Sequence, residues 1–406
     1  MNIDQVRKQF PFLSKESYKR SIVYFDNAAT MQRPLCVIDK WNELTTLFNS
    51  NIHRAVHSTA SIATEEYEST REAVRAFIGA QSTKEIIFTS GTTNSINLVA
   101  FSFGEAFVHE GDEIMVTEAE HHSNIVPWQM LCQRKGAILK VIPVDEHGYL
   151  EIDKIENIIT DRTKIICVTH ISNVLGIINP IKEIVRIAHK KGVPVLVDGA
   201  QGIVHQKLDV KDLDCDFYAF SGHKLYAATG TGVLYGKQKY LEHMPPYMGG
   251  GEMIETVSFS GTTYAPLPGK FEAGTQNLNS TPTLKSAIGF INSLDEEILG
   301  YHETVKDHFL DYLLSDKRIR LFGVPRGTND KIALFSFAVN GVHHEDLALI
   351  LDKMGIAVRS GQMCAEPLMD RYSVSGMLRA SLSVYNTIEE VDYFINSLDR
   401  AIRMLS

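Results

Sequence analysis

Between residues 85 and 235 the chain repeats one arrangement: a short β-rich run, then a segment with helical spacing. The runs fall at 85–89, 112–117, 139–144, 164–169, 193–197, 217–220 and 232–235, with helical spacing at 124–134, 152–159 and 181–190. Strands that alternate with helices are joined by crossovers, and crossovers build a parallel sheet covered on both faces. The pattern predicts an α/β fold with a mostly parallel seven-stranded sheet. It also says where chemistry belongs, because ligands of such sheets sit beyond the carboxyl ends of the strands.

The flanks read differently. The first twenty residues predict a short polar helix and an arm ending near Tyr24, Phe25 and Asp26. A Gly/Pro-rich stretch at 245–274, containing Gly249-Gly250-Gly251, interrupts the repeat, and loops this long inside a compact unit are often functional. A helical segment from 283 to about 313 leads into strands at 332–339 and 356–358 and helices at 343–354 and 388–404. At 406 residues this predicts an arm over 1–22 packing with the small domain, a large domain over 23–285 and a smaller C-terminal α+β domain over 286–406.

Composition removes several classes of function. A net charge of -9 makes the chain a poor partner for nucleic acid. No apolar run approaches the ~20 residues of a membrane helix. The charged start, Met1-Asn2-Ile3-Asp4, carries no apolar signal core. The five cysteines are scattered, with no C-x-x-C pair, which predicts neither a zinc ribbon nor a disulfide framework. Four of them, Cys36, Cys132, Cys167 and Cys215, read as small core residues. A reduced, cytoplasmic, soluble enzyme fits these features. Gly230-Thr231-Gly232 lacks the third glycine of a dinucleotide fingerprint, and no phosphate-binding P-loop occurs. His302-Glu303 and His344-Glu345 lack the second histidine of a zinc helix, so no metal is implied.

What remains is a set of reactive residues just beyond the strands. Lys224, in Ser221-Gly222-His223-Lys224, follows one strand end. Asp198 closes another, where a buried carboxylate needs a positive partner; a protonated pyridine nitrogen is a suitable one. Gly91-Thr92-Thr93 opens a helix, whose free amides and two hydroxyls make a phosphate cup. His121 follows a third strand and can stack on an aromatic cofactor. Cys364 lies among turn residues in Arg359-Ser360-Gly361-Gln362-Met363-Cys364, which predicts an exposed loop thiol with Arg359 near enough to favour the thiolate. Arg379 reads as a strand-borne guanidinium suited to a carboxylate. Each has a bland alternative: a solvated charge, an ordinary helix cap, a loop histidine or a surface ion pair.

Taken in order, these motifs resemble the cysteine desulfurases of the SufS-like group, which also includes selenocysteine lyases, within the class V aminotransferase family of PLP-dependent fold type I enzymes. The resemblance runs through Tyr24-Phe25-Asp26-Asn27-Ala28-Ala29, the segment from His53 to His57, Ser90-Gly91-Thr92-Thr93, Glu120-His121-His122-Ser123-Asn124 and Thr169-His170-Ile171-Ser172-Asn173. It continues through Asp198-Gly199-Ala200-Gln201, Ser221-Gly222-His223-Lys224, Phe271-Glu272-Ala273-Gly274-Thr275 and Met377-Leu378-Arg379-Ala380-Ser381.

The resemblance implies that pyridoxal 5'-phosphate (PLP) is the cofactor, anchored covalently by Lys224. It implies His121 stacked on the ring, Asp198 on its nitrogen, Gln201 at its phenolic oxygen and Asn173 beside it. Thr92, Thr93, Ser221 and His223 would hold the phosphate, with Thr275 reaching the phosphate of a second copy in a homodimer. Arg379, with Arg359 and Asn173, would bind the substrate carboxylate, and Cys364 would accept sulfur from L-cysteine as a persulfide, leaving L-alanine. A SufE- or SufU-type protein would take the sulfur toward iron–sulfur cluster assembly. The group commonly carries two histidines before its cysteine; here Gln362 and Met363 stand there. Selenocysteine lyase and cysteine sulfinate desulfinase are the nearest alternatives. An aminotransferase needs no loop thiol, and a non-catalytic scaffold needs none of these groups.

Overall fold

The computed structural model describes residues 2–18, 20–53, 56–327 and 329–405. The central sheet has seven strands: β1 (Ile86–Thr89), β2 (Glu113–Thr117), β3 (Ile138–Ile142), β4 (Thr163–Thr169), β5 (Val195–Asp198), β6 (Phe217–Ser221) and β7 (Gly232–Gly236). Their order is β1-β7-β6-β5-β4-β2-β3. Only β7 runs against its neighbours, pairing antiparallel with β1 and β6. The other pairs are parallel.

Apart from the partly exposed edge strand β3, the sheet is buried on both faces, and the period-two alternation of its strands shows why. Ile86, Phe88, Ile166, Val168, Val195, Val197, Tyr218 and Phe220 fall in one apolar core. Their sequence neighbours Ile87, Ile165, Cys167, Leu196, Phe217 and Ala219 fall in a second. A strand apolar at every position thus feeds two cores at once. Helix Ile181–Lys190 packs by the complementary rule, burying Ile181, Ile184, Val185, Ile187 and Ala188 at helical spacing. Full burial of each such aliphatic side chain stabilises the fold by roughly 1.5–3 kcal/mol.

A second, four-stranded antiparallel sheet contains β8 (Ile319–Phe322), β9 (Leu334–Val339), β10 (Arg359–Gly361) and β11 (Met377–Ser381), in the order β8-β9-β11-β10. Phe335, Phe337, Leu378 and Ala380 form a third core with Phe309 and Phe394 from two long helices, Glu296–Ser315 and Ile388–Leu405. The N-terminal segment touches both units. Helix Ile3–Arg7 starts on a reciprocal cap between Asn2 and Gln5. Phe10 packs edge-on against Phe290 at 5.3 Å and lies 4.6 Å from Tyr385. Val23–Tyr24 pairs parallel with Ile356–Ala357.

Three local expectations fail. The helical segment beginning at 283 is two helices, Thr283–Asn292 and Glu296–Ser315, broken around Ser293 and Leu294. The stretch at 245–274 is not all loop: Ile254–Ser258 and Gly261–Tyr264 form an exposed antiparallel hairpin. Cys36 is exposed rather than a core residue, because it sits on the outer side of helix Leu35–Leu47 while Val37 and Leu44 take the buried positions. Cys132, Cys167 and Cys215 are buried.

Candidate active site

A pocket of about 190 Å³ opens beyond the carboxyl ends of the central strands, between the two sheets. Thr92 and Thr93 follow β1, His121 follows β2, Asn173 follows β4, and Asp198 ends β5 with Gln201 just beyond. Ser221 ends β6, followed by His223 and Lys224. Arg359 and Arg379 enter from β10 and β11, two neighbouring strands of the smaller sheet in register with each other. Residues from five strand ends of one sheet and two strands of the other therefore meet at one place.

Charge in the pocket is arranged around Lys224. Burial and the nearby Arg379 and Arg359 push its pKa down to about 8, against the pull of Asp198 and Cys364. Asp198 is buried, which raises its carboxyl above the usual range; Lys224 opposes the rise, and the Ala200 N–H donates to it at 2.9 Å. Burial and the surrounding cations hold His121 down at about 3, so its imidazole is neutral. His121 is also fixed in place: the Ser123 N–H donates to its Nδ1 at 3.1 Å. Behind it Glu120 is fully buried, and burial with the Asp198 charge lifts its pKa to about 8. Glu120 accepts from Thr117, Asn124 and the Thr169 N–H at 2.5, 2.7 and 2.7 Å, tying the loops after β2 and β4 together.

The donor set fits PLP. Gln201 donates to the Ala28 carbonyl at 2.8 Å, while its buried Oε1 has no protein partner. Asp198 has an N–H donor and a nearby ammonium, the environment of a carboxylate awaiting a ring N–H. At the other end, helix Thr92–Phe107 begins at Gly91, which has no side chain to cap it; Ser221 Oγ accepts from the Thr92 N–H at 2.8 Å, and such a helix N-terminus suits an anion. The backbones are crowded here: a Cβ on Gly232 would meet Gly91 Cα at 2.4 Å, so only glycine lets β7 pass the cup. The Thr92 hydroxyl is engaged with Ser221 Oγ at 2.7 Å and the Thr93 hydroxyl with Ser123 Oγ at 2.7 Å. Burial and Lys224 lower His223 to about 4, leaving a neutral ring at the phosphate end.

Arg379 is almost wholly buried. It donates to the Asn173 carbonyl at 2.8 Å and pairs with Asp26 at 3.1 Å, while its Nε has no partner. An unfilled donor on a fixed guanidinium suits a carboxylate ligand.

Cys364 departs from expectation in one respect: it is half-buried rather than exposed, because its turn is held against the large unit. Met363 and Cys364 both have φ of 56°, a left-handed pair without glycine. Such residues cost of order 1–3 kcal/mol each and persist only where neighbours hold them. Here Asn173 Nδ2 donates to the Met363 carbonyl at 2.9 Å, and the His122 N–H donates to the Cys364 carbonyl at 2.8 Å. Met363 itself is buried and lines the pocket.

Two expected site residues do not line the pocket: Cys364, whose neighbour Met363 does, and Thr275, which is exposed on a separate turn. Part of the segment from His53 to His57, Arg54 and Ala55, lies outside the described residues. Asp26, Glu120 and His122 join the site through hydrogen bonds to Arg379, Thr169 and Cys364, roles their motifs in the sequence do not display.

A model of the family described as aminotransferase class-V matches residues 23–394. The chain belongs to that family. Its members depend on PLP. The chain is 45% identical over 406 residues to a probable cysteine desulfurase of Vibrio cholerae, covering all of both chains. The cysteine desulfurase CsdA from Escherichia coli superposes with a TM-score of 0.92 at 39% identity, covering both chains completely. A cysteine desulfurase from Thermococcus onnurineus, in its apo form, gives 0.92 at 36% identity, covering 100% of this chain and 99% of its own.

Proposed function

We propose that this class V aminotransferase family member is a cysteine desulfurase, converting L-cysteine to L-alanine and retaining the sulfur on Cys364 as a persulfide. The observation that carries this reading is the meeting of a pocket lined by Lys224 and Asp198 with a cysteine next to pocket-lining Met363, on a strained, gripped turn. An aminotransferase has no use for that thiol. The full-length similarity to cysteine desulfurases supports the same reading.

Bound PLP would supply an electron sink for the substrate Cα. Lys224 would anchor it, with His121, Asp198, Gln201 and Asn173 around its ring and Thr92, Thr93, Ser221 and His223 at its phosphate. Asp198 would keep a proton on the ring nitrogen. Arg379, with Arg359 beside it, holds the substrate carboxylate and so orients the Cα–H. Lys224 takes that proton on Nζ; burial and the neighbouring arginines hold its pKa down to about 8, so a fraction of the amine is free at neutral pH. The Cys364 thiolate attacks the substrate sulfur: an S–S bond forms and the Cβ–S bond breaks with its electron pair going to Cβ, which takes up the proton given up by the substrate thiol; the proton held on Lys224 returns to Cα, and alanine leaves. Sulfur is a soft centre, which suits a thiolate and not a hydroxyl.

In this reading residues 286–406 form the unit that brings Arg359, Cys364 and Arg379 to the large domain over 23–285, with 1–22 as an arm. Thr275, exposed on its own chain, completes the phosphate site of a second copy, so the working unit is a homodimer. The protein is cytoplasmic, and a SufE- or SufU-type carrier removes the sulfur for iron–sulfur clusters. Among the described residues no helix is long and apolar enough to cross a membrane. L-selenocysteine fits the same site by shape, and relative rates on cysteine, selenocysteine and cysteine sulfinate rank the three.

The test is alanine released from L-cysteine under reductant, with mass spectrometry of Cys364. Wild type should give alanine and a persulfide, and Cys364→Ala neither, with cofactor still bound. Equal alanine from both proteins would refute the reading.

A further inference from the structure

His122 has no role in the chemistry above, yet it touches the cysteine turn twice. Its backbone N–H donates to the Cys364 carbonyl at 2.8 Å. Its ring reaches past Cys364 to Glu366: the Glu366 N–H donates to Nε2 at 3.2 Å, and the Glu366 carboxylate meets the same nitrogen. The turn between these contacts closes on itself, with the Ala365 N–H donating to the Gln362 carbonyl at 3.0 Å. Its remaining tether is Asn173, on the Met363 carbonyl. Two successive left-handed residues are thus pinned at Met363 by one loop of the large sheet and on the far side of Cys364 by another.

We infer that His122 is a positioning residue for Cys364, its ring clasping Glu366 so that the left-handed turn keeps the thiol at the pocket rim. This deepens the desulfurase reading and rests on it. His122 shares a loop with His121, which lines the cofactor pocket, so the clasp joins the cofactor side of the site directly to the sulfur acceptor. The ring nitrogen can accept from the Glu366 N–H or, when protonated, donate to its carboxylate; either arrangement holds the turn. A small displacement of a reacting atom costs roughly a hundredfold in rate.

His122→Ala keeps the backbone N–H and removes only the ring. In the PLP-loaded protein it should lower kcat for alanine formation from L-cysteine by about tenfold or more while KM and the cofactor absorbance hold within about twofold. Glu366→Gln retains the N–H and a side-chain oxygen and should stay within about threefold of wild type. Cysteine sulfinate loses its sulfur as sulfur dioxide without a thiol acceptor, so turnover of that substrate should be unchanged in His122→Ala. Iodoacetamide should alkylate Cys364 at a rate altered at least about threefold in His122→Ala, a readout independent of turnover. Equal losses on both substrates, altered cofactor absorbance, or wild-type alkylation and kcat would overturn the proposal. A wild type that makes no alanine from L-cysteine would instead defeat the desulfurase reading, and alkylation would still decide whether His122 sets the thiol.

Discussion

Asn173 joins Arg379 to the cysteine turn: its carbonyl accepts from Arg379 at 2.8 Å, and its side-chain amide donates to the Met363 carbonyl at 2.9 Å. One residue therefore spaces the group expected to hold the substrate carboxylate from the group expected to take its sulfur. The two contacts use different atoms, backbone for Arg379 and side chain for Met363, so they can be cut separately.

Asn173→Ala removes the side-chain contact and spares the carbonyl. The left-handed turn loses a tether while Arg379 stays oriented. The expected outcome is a fall in kcat of roughly tenfold or more with KM for L-cysteine little changed. Steady-state kinetics decide it; a rise in KM alone would place Asn173 on the carboxylate instead.

Arg379→Lys cuts the other side. An ammonium cannot present two parallel donors, and it leaves the Asn173 carbonyl and Asp26 competing for one head group. KM for L-cysteine should rise by about tenfold or more while cofactor absorbance is retained. An unchanged KM would show that another cation, with Arg359 the first to test, carries the carboxylate.

The sheet was legible because a strand buried on both faces must be apolar along its middle, as 165–168 and 193–197 are. Asp198, Lys224, His121 and Arg379 were legible for a related reason: a charged or polar residue ending an apolar strand, just beyond one or within one needs a purpose. The hairpin within 254–264 was hidden by the glycines and prolines around it, since its exposed strands carry no apolar stripe. The roles of Asn173, His122 and Glu120 were hidden for a different reason. They act through backbone carbonyls and N–H groups of distant segments, such as Met363, Cys364 and Thr169, and a main-chain partner leaves no mark in the sequence of side chains.

The depressed pKa of Lys224 gives a pH dependence with a definite sign. Only the neutral amine attacks an aldehyde, and the folded chain holds that amine near pKa 8 rather than 10.5. PLP uptake by the apo-protein should accelerate by about tenfold per pH unit below 8 and level off above it. Between about 8 and 10.5 the unfolded chain binds the proton that the folded one has lost, so this group's contribution to stability improves as pH rises through that window. Absorbance of the bound cofactor after mixing checks the first statement; a plateau reached only near pH 10 would contradict it.

His121 supplies a ring and no charge, since its imidazole is neutral at all pH values well above about 3. His121→Phe should retain cofactor with an absorbance that does not shift between pH 6 and 9 (~ three pH units, a window far above that value). His121→Ala should lose affinity by a further factor of about ten, the stacking surface being absent. Equal losses in the two variants, measured by cofactor titration, would mean that the ring nitrogen rather than the ring face is what matters.

A buried ion pair lies outside the pocket. Arg71 is 2% exposed and meets Glu272 through two parallel bonds of 2.6 and 2.9 Å. Glu272 also accepts from the Phe88 N–H at 2.8 Å, Arg71 donates to the Ile86 carbonyl at 2.9 Å, and the guanidinium lies 4.5 Å over the Phe88 ring. Edge strand β1 is thereby tied to the turn that leads to Thr275, which Gln276 folds back by donating to the Glu272 and Gly274 carbonyls. Glu272→Gln keeps the shape and the Phe88 acceptor but leaves the buried guanidinium only the half-buried Glu68, which accepts from its Nε and Nη2 at 2.9 and 3.1 Å. Breaking such a pair costs about 3–5 kcal/mol, whereas replacing both partners by apolar residues is often neutral. Thermal unfolding should show a lowered Tm for Glu272→Gln and substantial recovery in Arg71→Met with Glu272→Leu. If the double variant is no more stable than the single one, the hydrogen bonds to Phe88 and Ile86, and not the charge, hold β1 to that turn.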